Sequence, residues 1–200
     1  MHFPTLTSTI TPLLLSTTAT ALNFNLRQTF IPLPACLNVR TVLEATDTSA
    51  VVTSLLTEIC SAPENAQPLP VDLISYNSLI RPFLEGVVTT EAANMGAPQI
   101  APSYLVLIDA LFDLARTRCG LAAVEGDVCA ADQVQLQDVG DCIRRNGWQV
   151  AITNALRILP LFSLDACNRQ VDFFGREEVV DVLVPQYARQ FAAERRAVIS

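Results

Sequence analysis

The chain has 200 residues, half of them hydrophobic, 16% charged and 6% aromatic, and it carries a net charge of -7. So much apolar content with so little charge argues against disorder, and an acidic chain without a basic cluster repels phosphate backbones, so no nucleic-acid partner is expected. All 13 basic residues are arginine and the only histidine is His2, which removes most side-chain catalysis at the outset.

Residues 1–21 contain no Asp, Glu, Lys or Arg and run from Pro12-Leu13-Leu14-Leu15 into small residues ending Ala19-Thr20-Ala21. An apolar centre followed by an A-x-A site reads as a signal peptide cut after Ala21. No other stretch reaches the ~18 uncharged apolar residues of a membrane span, so the expectation is a secreted, extracellular protein without a transmembrane segment. There is no Asn-x-Ser/Thr glycosylation site. About 179 residues would remain after cleavage, enough for one domain that buries roughly 70% of its unfolded surface.

Residues 22–35, with Phe24, Phe30, Pro32 and Pro34, read as an extended lead-in to a single helical domain over 36–200. From Cys36 a helical pattern places Val39, Val42 and Leu43 together. Asp47 or Thr48 caps a second helix with Val51, Val52, Leu55, Leu56 and Ile59 on one stripe. Residues 61–70 are a loop by composition. Val71 to Val88 is helical and interrupted near Pro82, and Asn94 to Pro102 is a break. Ser103 then caps the strongest helix, Tyr104 to Arg118, which carries Leu105, Ile108, Leu111, Phe112 and Ala115 on one face and stops at Gly120. Asp127 to Ile143 is a more polar helix, and Gly147 starts another that runs to Pro160. Leu161 to Cys167 reads as one short turn. Residues 176–197 form a last helix, bent or broken at Pro185, with Val179, Val182, Leu183, Tyr187 and Phe191 inward. The class is all-α: an irregular bundle of about six or seven short helices.

The six cysteines, Cys36, Cys60, Cys119, Cys129, Cys142 and Cys167, all lie inside the expected mature chain. An even count in an exported protein points to three disulfides, for which 15 pairings exist. With no C-x-x-C pair and no mature His, no metal site is expected. The gaps of 23 residues between Cys36 and Cys60, 24 between Cys142 and Cys167 and 12 between Cys129 and Cys142 resemble those of elicitins, small secreted all-helical proteins with six paired cysteines that carry sterols. That resemblance implies the pairing Cys36–Cys142, Cys60–Cys129 and Cys119–Cys167. The chain departs from the family in the 58 residues between Cys60 and Cys119 and in the wide gap from Cys119 to Cys129. More broadly it resembles small cysteine-containing secreted effector proteins of filamentous microbes.

Without a mature His or Lys, Ser-His-Asp, Cys-His, Ser-Lys and Schiff-base chemistry are ruled out, and only carboxylates remain for an enzyme. Asp109 and Asp113 share a helix face and Glu177-Glu178 begin the last helix, but the first pair reads better as a solvated face and the second as a helix N-terminus. No catalytic residue and no cofactor is expected. Trp148, alone of its kind, reads as a core or capping side chain and not as a sugar platform. Arg144-Arg145 and Arg195-Arg196 read as surface pairs and not as processing sites. Lysine's absence leaves only the N-terminus for ubiquitin attachment in a host cytosol, although a genome that favours Arg explains it more simply.

Two functions fit. The first is a non-enzymatic effector or elicitor that acts outside the producing cell by binding a host molecule. The alternative is an extracellular carrier of sterol or fatty acid, since a bundle rich in Leu, Val, Ile and Ala can enclose an apolar cavity.

Overall fold

The computed structural model describes residues 34–45, 47–60, 69–124 and 126–199. The expected signal peptide, nearly all of the lead-in and most of the loop 61–70 lie outside these residues. Seven helical rods and several short 3-10 turns account for the described chain, which is all-α as expected. Helix α1 is Pro34–Ala45 and α2 is Thr48–Cys60. Helix α3 covers 73–94, α4 is Ala101–Thr117, α5 is Gln133–Thr153, α6 is Leu164–Phe174 and α7 covers 177–199.

Local chemistry explains most of the boundaries. Pro34 opens α1 at a position where a missing N–H costs nothing, so the helix starts before Cys36. Asp47 caps α2 by accepting from the amides of Ser49 (2.9 Å) and Ala50 (3.2 Å). Asp72, Asp132 and Ser163 cap α3, α5 and α6 in the same way. The α4 helix begins three residues earlier than a cap at Ser103 suggests, because Pro102 fits a first turn; Ser103 is instead buried within the helix.

Three sequence expectations are corrected. The helix expected from Asp127 starts only at Gln133, and Asp127 instead caps the 3-10 turn Val128–Ala130. Its carboxylate also accepts from the Leu69 amide at 2.9 Å, which ties the start of the 69–72 segment to this turn. Gly147 does not begin a helix, since α5 runs unbroken to Thr153 and leaves Leu156 and Leu159 in a connecting segment. Residues 161–167 are not one turn: the 3-10 turn Leu159–Phe162 leads through Ser163 into α6.

Pro82 and Pro185 do not break their helices. Each follows a five-residue π-turn, Tyr76–Ile80 and Val179–Leu183. The last amide before each proline, that of Arg81 or Val184, bonds to the carbonyl five residues back, so a widened turn absorbs the crowding of the ring. The extra residue shifts the helical register, and Val182, expected inward, is 50% exposed.

Gly96 ends α3 at φ +68°, with the Ala97 amide reaching back to the Ala92 carbonyl at 2.8 Å. A Cβ on it would lie 2.8 Å from Arg169 Nη1, which itself donates to the Met95 carbonyl. Gly96→Ala is expected to cost about 1–2 kcal/mol, from the left-handed backbone and the displaced guanidinium. Urea unfolding would read this as a lower midpoint at unchanged slope, and an unchanged midpoint would show that the turn relaxes freely.

The main core is built of small residues. Ala92, Ala97, Ala101, Ala151 and Ala166 surround Ile100, Ile158 and Leu161, so α3, α4, α5 and α6 approach closely. Three disulfides staple the bundle: Cys36–Cys167, Cys60–Cys129 and Cys119–Cys142. Only Cys60–Cys129 is paired as the elicitin resemblance implies. Helix α1 packs along α6, which sets Cys36 against Cys167, while α4 packs on α5, which sets Cys119 just beyond α4 against Cys142.

Candidate functional site

Between α1, α2, α4, α5 and α6 lies a cavity of about 470 Å³. Its walls are apolar and each helix supplies part of them. Val39 comes from α1, and Val51, Val52 and Leu55 come from α2. Leu107 and Leu111 of α4 face Ile143, Trp148 and Ala151 of α5, and the connecting segment adds Ile158, Leu161 and Phe162. The Cys36–Cys167 bridge forms part of the wall, and both cysteines are 1% exposed.

Two glycines make room at one side. Gly140 and Gly147, two turns apart on α5, also border the cavity. A Cβ on Gly140 would stand 3.5 Å from Thr48 and Val52 of α2, and one on Gly147 would stand 3.3 Å from Leu111 of α4. Both neighbours therefore lie against bare α5 backbone, and tertiary contact offsets the roughly 1 kcal/mol each glycine costs a helix interior. Val51, Val52 and Leu55 of the α2 stripe border this space. All five stripe residues are half-buried, and α2 has no fully buried residue.

One end of the cavity is internally satisfied. Gln170, 5% exposed, accepts from the Tyr104 hydroxyl at 2.8 Å and donates to the Leu161 carbonyl at 2.9 Å. Burial raises the Tyr104 pKa well above the usual tyrosine range, so it remains a neutral donor. With its polar atoms paired, this end presents little to an incoming polar group.

Arg40, Glu44, Thr48 and Arg144 form the other end, at the junction of α1, α2 and α5. Arg40 Nε pairs with Glu44 at 2.7 Å, and Arg144 Nη2 lies 3.2 Å from Asp141. Arg144 Nη1 also donates to the Glu44 carbonyl at 2.9 Å, and Thr48 Oγ1 donates to Asp141 at 2.6 Å. The Thr48 hydroxyl first, then Arg144 and Arg145, hold the Asp141 carboxyl below its ordinary pKa. Glu44, Thr48 and Arg144 border a second, polar space of about 320 Å³, whose walls include Asp47, Ser49, Gln137 and Asp141. An apolar chamber thus adjoins a polar vestibule, the arrangement an amphiphile requires.

The residues singled out in the sequence fall into two groups. Trp148 stands in the chamber wall, edge-on to Phe162 with centroids 6.1 Å apart. Asp109 is a structural anchor: it accepts from the Tyr76 hydroxyl at 2.8 Å and pairs with Arg81 at 3.0 Å. Asp113 lies one turn on, exposed, and both acids border a polar cleft with Arg118 and Arg157. Glu177 and Glu178 sit exposed at the start of α7. Arg144 belongs to the chamber mouth while Arg145 is exposed, so the pair is divided between two roles.

Sequence reasoning did not find the mouth residues Arg40, Glu44, Thr48 and Asp141. The signal within reach was the pair Gly140 and Gly147, seven residues apart and so on one helix face. Among the described residues no cluster of His, Cys, Asp and Glu is placed to hold a metal, and no helix is long and apolar enough to cross a membrane. No family model, no curated protein and no solved structure matches the chain.

Proposed function

We propose that this is an extracellular, non-enzymatic carrier that holds a lipid of the sterol or fatty-acid class in the chamber between α1, α2, α4, α5 and α6. The observation that carries the reading is the chamber itself. A cavity of about 150 Å³ lined by aliphatic and aromatic groups takes up benzene. At about 470 Å³ this one has room for three such units, on the order of 18 carbons. That is the size of a long acyl chain or a sterol ring system.

Secretion is part of the proposal. It is supported by the uncharged N-terminal 21 residues with their A-x-A site and by three disulfides, which persist in oxidising compartments. The carrier stands ahead of the host-binding effector because a carrier requires such a chamber and an effector does not. The two are compatible where a host recognises the loaded protein.

Native mass spectrometry on the full chain, secreted from a eukaryotic filamentous host, tests the reading. A product starting at Leu22 with three intact bridges and a lipid-sized adduct, lost on organic extraction, is expected. Repeated isolation without lipid, together with no uptake of labelled sterol or fatty acid by the extracted protein, would overturn it.

A further inference from the structure

The chamber sets the length of a ligand, and its mouth sets the chemistry of the head. The vestibule presents Glu44, Asp47 and Asp141 against a single guanidinium, Arg144, a balance of three negative charges to one positive. Arg40 stands on the chamber side and brings the charges that line the mouth to -1, while Arg145 acts on Asp141 from an exposed position outside the lining. Neither lining arginine is idle, since Arg40 is held by Glu44 and Arg144 by Asp141 and the Glu44 carbonyl. An incoming carboxylate would have to compete with side chains of its own charge for both of them.

Backbone dipoles act in the same sense. The N-terminus of α2, which would attract an anion, already has its Ser49 and Ala50 amides bonded to Asp47. Helix α1 ends at Ala45, so its partly negative carbonyl end borders the same space. Free acceptor capacity remains on the Glu44 and Asp141 carboxylates, because an ionised carboxylate offers about four lone-pair sites. The site has acceptors to give and repels anions.

Building on the carrier reading, we infer that the ligand's head is a hydrogen-bond donor without negative charge, a hydroxyl or an ammonium, seated among Glu44, Thr48, Asp141 and Arg144. A fatty-acid carboxylate is selected against. The acids do not by themselves make the site. The apolar chamber supplies the affinity, and the mouth discriminates among molecules of equal chain length.

A head-group series with one chain tests this: oleyl alcohol, oleylamine and oleate, each below its aggregation limit, titrated into delipidated full-length protein at neutral pH and low salt. The alcohol and the amine are expected to bind, the amine the more tightly, with oleate at least about tenfold weaker than the alcohol, since partly buried charges at this range are poorly screened. In the double variant Glu44→Gln/Asp141→Asn, oleate should gain at least about fivefold, while the alcohol and the amine, which lose their charged acceptors, bind no better than to the unaltered protein. Oleate binding as tightly as the alcohol to the unaltered protein, or no gain in the variant, would overturn the head assignment and leave the carrier standing. Failure of all three to bind would overturn the carrier reading and the head assignment together.

Discussion

Replacing Cys36 and Cys167 together by alanine is expected to lower the melting temperature by roughly 8–16 °C, the largest loss among the three bridges. Sequence separations of 131, 69 and 23 residues would rank the bridges by chain entropy if each acted alone. They do not act alone, because opening one leaves two in place. With the others closed, the shortest ring through Cys36–Cys167 runs 24 residues from Cys36 to Cys60 and 38 from Cys129 to Cys167, 62 in all. The same ring runs through Cys60–Cys129, so entropy assigns both of these bridges about 4 kcal/mol, against about 3 for the 23-residue loop of Cys119–Cys142.

Burial separates the first two. Cys36 and Cys167 are 1% exposed and cluster with Val39, Val171 and Phe162, so their removal also leaves a void, whereas Cys60 and Cys129 are half-buried. Calorimetry on the three double-alanine variants checks the ranking. A loss for Cys119–Cys142 as large as for Cys36–Cys167 would show that chain entropy does not govern these bridges. Since α1 and α6 are both chamber walls, the Cys36→Ala/Cys167→Ala protein should also take up lipid more weakly at temperatures where it remains folded.

The all-α class was legible because apolar residues recur at helical spacing on α2 and α4 and because Asp47 stands where a cap is needed. Helix α6 escaped notice for a physical reason. Its buried face includes Gln170, whose polar side chain interrupts the stripe and is tolerated only because Tyr104 and the Leu161 carbonyl satisfy it. Gly147 gave the opposite error: its low helix propensity suggested a boundary, while its lack of a side chain is what admits Leu111 against α5. Cysteine spacing could not distinguish Cys142 from Cys167 as the partner of Cys36, because that choice depends on which helix α1 lies along. The chamber was hidden more deeply. A stripe such as Val51, Val52 and Leu55 reads the same whether it meets packed side chains or an open space.

That last ambiguity makes Val51→Trp the most informative substitution. Val51 is half-buried on α2 and borders the chamber, so an indole in its place has somewhere to go. The added ring fills about one benzene-sized unit, roughly a third of the space, and displaces about six ligand carbons, or about 5 kcal/mol of burial at ~0.8 kcal/mol per methylene. Affinity for an 18-carbon alcohol should therefore fall on the order of a thousandfold. In the unaltered protein, alcohol at about 100 times its dissociation constant stabilises the fold by about 2.7 kcal/mol, a rise in melting temperature of roughly 5–11 °C. The Val51→Trp protein should lose that rise while melting, without ligand, at or above the temperature of its parent, because filling an existing space does not overpack a core. A packed interior would behave in the reverse way. The indole would then have to displace well-fitted side chains at a typical cost of 1–3 kcal/mol, and the ligand-free melting temperature would drop. Melting curves of both proteins, with and without oleyl alcohol, thus separate a chamber built to be filled from a core already full.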